Sequence, residues 1–399
     1  MVALILLGAL FTIGAGIRAL SIRFTVFSDN LRYYGEFDID GDYVVWVGLE
    51  EDYEDMVDAP GKDLYLYQIS TGVISNLTDG EGEQAYDYPQ IVGDFVVWDF
   101  YTPEEEWEIQ LHQISTGITK PIVKGNLADL NEEYVVYYEY WVGDASVWLY
   151  ELKTGESKQI HTHSGFYRSA QVDGDYVVWV TGANIKKEDS GKDYELHMYQ
   201  ISTGNTTQLT HNAVYDGWPD LEGDYVVWFG EEAGNKDVYL YQISTGMTKK
   251  LTGDQTEDGP PKISGDYIVW SSMEPSRDSK AVITLYRIST GEMIEVVPID
   301  DHYYGHFIQI DGDYIVWFDE DGEVTLYQIS SSTTMSLSSQ NRNIGPFELS
   351  GNFIAGEVLF DGMFVLELIG TEESDTLFDC GYDPKQLIGW VDPYRNVPE

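Results

Sequence analysis

The side chains able to do chemistry recur at one place in a repeating string. Asp38, Gln90, Asp129, Gln171, Asp220, Lys262, Gln309 and Glu348 each stand four residues ahead of the acid or amide in a turn such as Gly41-Asp42. That position is polar in all eight copies, while both of its neighbours are apolar or proline. Eight such groups around one axis would line a wet channel and present a ligand-binding collar. Four of them are carboxylates, the hard oxygen donors that suit calcium. Three residues further back, where glycine is commonest, Asp87, Arg168 and His306 break the pattern. The segment Asp38-Ile39-Asp40-Gly41-Asp42 alternates carboxylates as a calcium loop does, so Asp38, Asp40 and Asp42 are metal candidates. In other copies the same slot reads Ile-Val-Gly-Asp or Ile-Ser-Gly-Asp, which suits a plain hairpin turn. The sequence thus requires no cofactor, and Ca2+ is the ion it suggests.

Catalytic constellations are hard to assemble from the remaining residues. There is no Gly-x-Ser-x-Gly elbow, no His-Glu-x-x-His and no paired-cysteine motif. His112 and His197 fall inside a strand pattern, whereas His161, His163, His211, His302 and His306 fall between one repeat and the next. His211, His302 and His306 with Arg168 could serve a metal-assisted lyase acting on acidic sugars. The strongly acidic surroundings would repel such a substrate, so no catalytic residue is assigned.

The elements that position these groups follow from the repeat itself. Gly41-Asp42-Tyr43-Val44-Val45-Trp46 returns at Gly93, Gly174, Gly223, Gly265 and Gly312, with weaker copies at Glu133–Tyr137 and Asn352–Ala355. A second string, Leu66-Tyr67-Gln68-Ile69-Ser70-Thr71-Gly72, follows each copy and decays to Val365–Leu368 in the last. Counted on the acid or amide, the spacings are 52, 39, 42, 49, 42, 47 and 39 residues. β-branched and aromatic runs bounded by Gly, Asp and Ser read as strands, four to a unit. A unit of this length with four strands is a propeller blade. The fold class is therefore all-β, a single β-propeller of eight four-stranded blades, or seven with an irregular closing segment. The boundaries are an apolar helical segment over 1–21, a connecting strand over 22–30, the propeller over 31–370 and a closing segment over 371–399. Either Ile22–Phe27 or Thr376–Phe378 could add the strand that closes the ring, and the former has the better β pattern.

These strings resemble the TolB-like propeller family, and within it the repeats of archaeal cell-surface proteins. The likeness spans roughly residues 31–370 and is carried by the Gly-Asp-Tyr-Val-Val-Trp and Leu-Tyr-Gln-Ile-Ser-Thr-Gly strings. It implies a propeller and says little about activity, because propellers host unrelated functions. TolB has six blades and a separate amino-terminal domain, neither of which is expected here, so its envelope-transport role does not carry over.

Composition bounds the partners. The 399 residues hold 69 acids against 22 bases, a net charge of −47. Such a chain has no electrostatic attraction to nucleic acid or to anionic lipid. A single cysteine, Cys380, allows no internal disulfide. Asn76-Leu77-Thr78 and Asn205-Thr206-Thr207 are glycosylation sequons. Val2–Ile17 is an uncharged, mostly apolar run followed by Arg18 and Arg23. It fits a secretory signal, a membrane anchor over residues 2–24, or an apolar segment that packs in an assembly. The expected function is a non-catalytic extracellular or cell-surface module: a surface-layer or filament-type subunit, or a binder of protein or glycan. The alternatives are a metal-dependent propeller enzyme and a soluble secreted receptor.

Overall fold

The computed structural model describes residues 3–13, 16–27, 31–50, 62–78, 85–102, 106–141, 144–163, 166–182, 194–212, 214–232, 234–253, 256–273, 281–299, 308–318, 324–336, 344–358 and 362–370. Among them there are strands and turns but no helix. Eight antiparallel sheets stand side by side, and the count of blades is eight, not seven. In blade 1 the strands run outward from the axis as Leu31–Asp40, Tyr43–Glu50, Lys62–Gln68 and Val73–Asn76. First strands touch in order from blade 1 to blade 8, and blade 8 meets blade 1, so they wall a closed ring.

Burial on both faces explains the unbroken apolar runs of the second strands. Val44 and Trp46 pack in the seam with blade 8, while Val45 and Val47 pack in the seam with blade 2. A strand covered on two sides must be apolar at every position, not every second one. Each of the eight core clusters likewise spans one seam, including that between blades 8 and 1. Trp98, Trp179, Trp228, Trp270 and Trp317 are the largest fully buried side chains. Across the sheet the tryptophan meets its register partner on the third strand: Trp46 stacks on Tyr65 and Trp228 on Tyr239, with ring centroids 5.6 and 5.5 Å apart.

The two recurring strings are tied to each other. In blade 1 Asp42 accepts the Ser70 N–H at 2.7 Å, the Ser70 hydroxyl at 2.6 Å and the Gln68 amide at 2.9 Å. Asp94, Asp175, Asp224 and Asp313 make the same three bonds, and Asp266 makes them with Arg287 in place of glutamine. This clamp fixes the turn between the third and fourth strands onto the turn between the first and second. A further bond joins blades. The residue before each turn glycine accepts the glycine N–H of the next blade: Asp40 from Gly93, Asp173 from Gly223, Glu222 from Gly265, Ser264 from Gly312, Asp311 from Gly351, and Ser350 from Gly41. Blade 3 has neither device, since Asn131-Glu132-Glu133 replaces the Gly-Asp turn and Lys153 replaces the serine. It keeps only the backbone bond from Leu152 N–H to the Glu133 carbonyl, at 2.9 Å.

The apolar amino-terminal segment, expected as a helix over 1–21, includes two stretches of extended backbone. Ala3–Ile13 and Gly16–Phe27 pair as antiparallel strands, and the second also pairs with Gly362–Gly370 of blade 8. An uncharged apolar run has no period that decides between helix and strand. Among the described residues, blade 8 brings Ile344–Ser350, Phe353–Val358 and Gly362–Gly370 from its own stretch of chain. Its outer edge therefore needs backbone partners, and Gly16–Phe27 supplies them. One sheet thus holds both ends of the propeller. The expected closing segment 371–399, with Thr376–Phe378, lies outside the described residues.

Two outcomes follow for stability. Ser332 occupies the turn position of Gly72, Gly117, Gly204, Gly246 and Gly291 and shares their left-handed backbone, with φ of 52°. Ser332→Gly should raise the unfolding free energy by roughly 1 kcal/mol, read as a higher urea midpoint, and an unchanged midpoint would contradict the strain. Deleting residues 16–27 should lower the thermal midpoint by several degrees through loss of the last strand of blade 8, whereas an unaltered melt would show that closure does not depend on it.

Candidate ligand-binding site at the mouth of the axial channel

The channel collar is assembled by the first strands. Asp38, Gln90, Asp129, Gln171, Asp220, Lys262, Gln309 and Glu348 all line one cavity of about 590 Å³ on the ring axis. Much of this collar is tied into the wall. Asp38 accepts the Ile91 N–H at 2.8 Å, Asp129 the Val172 N–H at 2.7 Å and Asp220 the Ile263 N–H at 2.8 Å, each from the next blade. Gln171 donates to Asp220 at 3.1 Å and Gln90 to the Ala128 carbonyl at 3.3 Å. Asp40 and Asp42 belong to the inter-blade and intra-blade bonds already described, so the three carboxylates of Asp38–Asp42 serve three different partners. Among the described residues no group of three or more His, Cys, Asp or Glu side chains is arranged to hold a metal ion.

Lys262 is the cation of the collar, its ammonium 3.9 Å from Asp220. Asp220, then Glu348 and Asp129, hold Lys262 more firmly protonated than a free lysine, against the opposing effect of burial. Both side chains keep solvent contact through the channel, 38% for Lys262 and 17% for Asp220, although protein surrounds them. Burial pushes Asp129 up to about 7, and Glu348 also up to about 7 against the pull of Lys262. Burial, with Glu348 and Asp40 nearby, holds Asp38 well above the usual carboxylate range.

Above the collar the first strands slip register, between Asp87 and Gln90, Arg168 and Gln171, and Gly217 and Asp220. At this bulge Tyr88, Ser169 and Trp218 adopt left-handed backbone, with φ of 54°, 51° and 52°. For bulky residues this is an outlier that costs about 1–3 kcal/mol each. Tyr88 and Trp218 are 58% and 56% exposed, and both line the cavity. Gly217 permits the geometry on one side, because a Cβ there would stand 2.5 Å from the Tyr215 ring. Beside Tyr88, Glu36 accepts its N–H and Asp87 faces Asp99 across the strand pair. Asp99 is buried, accepts the Leu127 N–H at 2.7 Å and is pushed up to about 7 by that burial. Glu36 first, then burial and the carboxylates of Asp87 and Asp99, raise the Tyr88 phenol.

The expected rim residues divide. Asp87 stands next to Tyr88; Arg168 is in the first strand of blade 4, its side chain outside the described residues, as are His302 and His306. His161 and His163 are not in a connection but in the closing strand Ser157–His163. The His161 ring packs 5.3 Å from Trp179 and 5.2 Å from His197, as strand side chains at a seam do. Both sequon asparagines, Asn76 and Asn205, are exposed, and the Asn76 amide and the Thr78 hydroxyl both donate to Asp63. Glu36, Tyr88, Ser169 and Trp218 were not singled out by sequence; three large aromatics, Tyr88, Trp218 and Phe307, at one otherwise mixed repeat position were the available signal.

No protein-family model matches the chain, and no curated protein matches it. Among solved structures, the β-propeller domain of the Trilobed protease from Pyrococcus furiosus is 14% identical, covering 79% of this chain and 98% of that one at a TM-score of 0.52. A structure from work on two prolyl endopeptidases is 11% identical with a TM-score of 0.57, covering 82% of this chain but 55% of that one. TolB from Acinetobacter baumannii is 14% identical, covers 76% of this chain and 81% of that one, and has a TM-score of 0.38, at which it adds no argument. At these identities the likeness shows the propeller fold alone.

The collar carboxylates make stability depend on pH. Asp129 binds its proton up to about pH 7 in the folded chain, against an ordinary value of 3.8. Its contribution is therefore full at low pH and is lost as pH rises towards 7. The thermal midpoint should be higher at pH 5 than at pH 8. Asp129→Asn, which still accepts the Val172 N–H, should flatten that difference; an unchanged slope would remove Asp129 from the cause.

Proposed function

We propose that the chain is a non-catalytic binding module of the cell surface or extracellular space, holding its ligand at the channel mouth. The observation that carries this reading is the pair of exposed aromatics, Tyr88 and Trp218, on strained backbone at the rim of a polar cavity. Strain of that kind persists where a site needs it. A binding rather than a catalytic role is supported by the carboxylates with raised pKa values. Asp38, Asp99 and Asp129 each accept a backbone N–H from the neighbouring blade, which leaves them poorly placed to shuttle protons. The peptidases among similar structures do not weigh against this, since at these identities they speak for fold only. Placement outside the cytoplasm rests on the apolar Val2–Ile17 run and the exposed Asn205 sequon. Protein, glycan or further copies of the chain are the partners this setting offers.

The test is a thermal-shift screen of the full chain against Ca2+, neutral oligosaccharides, and acidic, neutral and basic peptides, with mass spectrometry of each compound afterwards. One class should raise the midpoint, Trp218→Gly should abolish that rise, and every compound should be recovered unchanged. Conversion of any compound, or the absence of any shift, would overturn the reading.

A further inference from the structure

We infer that the channel mouth recognises a cationic side chain, arginine or lysine, on a basic peptide segment of a protein partner. This rests on the binding reading above and adds to it the chemistry of the ligand.

Among the described residues the exposed aromatics are confined to the mouth. The exposed large apolar residues among those described are Val73, Tyr88, Ile118, Trp218, Met247 and Met293, and the two aromatic ones both line the cavity. An aromatic face attracts a cation through its quadrupole, more strongly when the cation is partly desolvated. Around Tyr88 the charges have one sign: Glu36 bonds its backbone, Asp87 precedes it, and Asp99 stands opposite Asp87. The rise in the Tyr88 phenol is a consequence of that negative setting. An anionic ligand would meet those carboxylates and, at longer range, a net charge of −47. A cationic one would be steered by the same field. Lys262, deeper in the collar, shows how an ammonium is held there, 3.9 Å from Asp220 and attracted by Glu348 and Asp129 as well. A peptide fits better than a free metal ion, because the described carboxylates form no metal cluster while the rim offers ring faces.

The experiment is calorimetric titration of the full chain with an acetylated, amidated Gly-Arg-Gly-Arg-Gly peptide and with its citrulline counterpart, which keeps the shape and removes the charge. The arginine peptide should bind roughly tenfold or more tightly, and its affinity should fall as salt rises. Tyr88→Gly and Trp218→Gly relieve left-handed strain, so they should melt no lower than wild type yet lose most of the affinity; Tyr88→Asn and Trp218→Asn, which also tolerate that backbone, guard against a folding artefact. Glu156→Gln, an exposed acid on an outer edge, should leave affinity within about twofold if bulk charge is not the cause. Equal binding of the citrulline peptide, or undiminished binding by both glycine variants, would overturn the inference. If instead a neutral oligosaccharide or acidic peptide bound in a Trp218-dependent way, the mouth would remain a binding site and only its cationic specificity would fall.

Discussion

A blade whose second strand is apolar on both faces can be buried only between two others. That constraint runs through the whole molecule. It demands a ring, since any open row would leave two end faces wet, and it makes the core a set of seams rather than a centre. It also explains why the axis is polar. Once apolar side chains are drawn into the seams, the innermost edge of each blade has only its polar residue left to present inward. The closure at blade 8 follows as well, because an edge one strand short is repaired by the nearest chain with free backbone groups, Gly16–Phe27.

The polar residues that survive this arrangement are of two kinds. Those with a partner in an adjoining blade, such as Asp129 with Val172 or Asp40 with Gly93, hold the ring in register. Those at the bulge, Tyr88 and Trp218, leave their side chains exposed and are held at a cost in backbone energy. Residues that bond across the seams and residues that leave an exposed side chain thus lie within a few positions of one strand. The collar keeps the blades aligned, and the rim one turn of chain earlier faces outward.

Much of the fold was legible because every seam asks for the same residues, so Tyr43–Trp46 and its copies announce themselves by repetition. The collar was legible for a related reason: a polar residue between two apolar ones, eight times over, marks a wall. What its carboxylates do was not legible. The partner of Asp38 is the backbone N–H of Ile91, fifty-three residues away, and a backbone donor leaves no mark on sequence. The rim was missed because its column reads Glu36, Tyr88, Leu127, Ser169, Trp218, Pro260, Phe307 and Pro346, with no one type common to all eight. Left-handed φ in a tyrosine is invisible until the strand is seen to slip. The amino-terminal run was read as helical, but an uncharged apolar stretch carries no period that separates helix from strand.

Blade 3 gives the ring an uneven circumference. Its turns lack the aspartate clamp, and no glycine bond of the recurrent kind joins it to blade 2 or blade 4. A closed hoop with identical joints shares a distorting load equally among them. Around blade 3 the load falls instead on the apolar seams and on the bonds from Leu127 to Asp99 and from Val172 to Asp129.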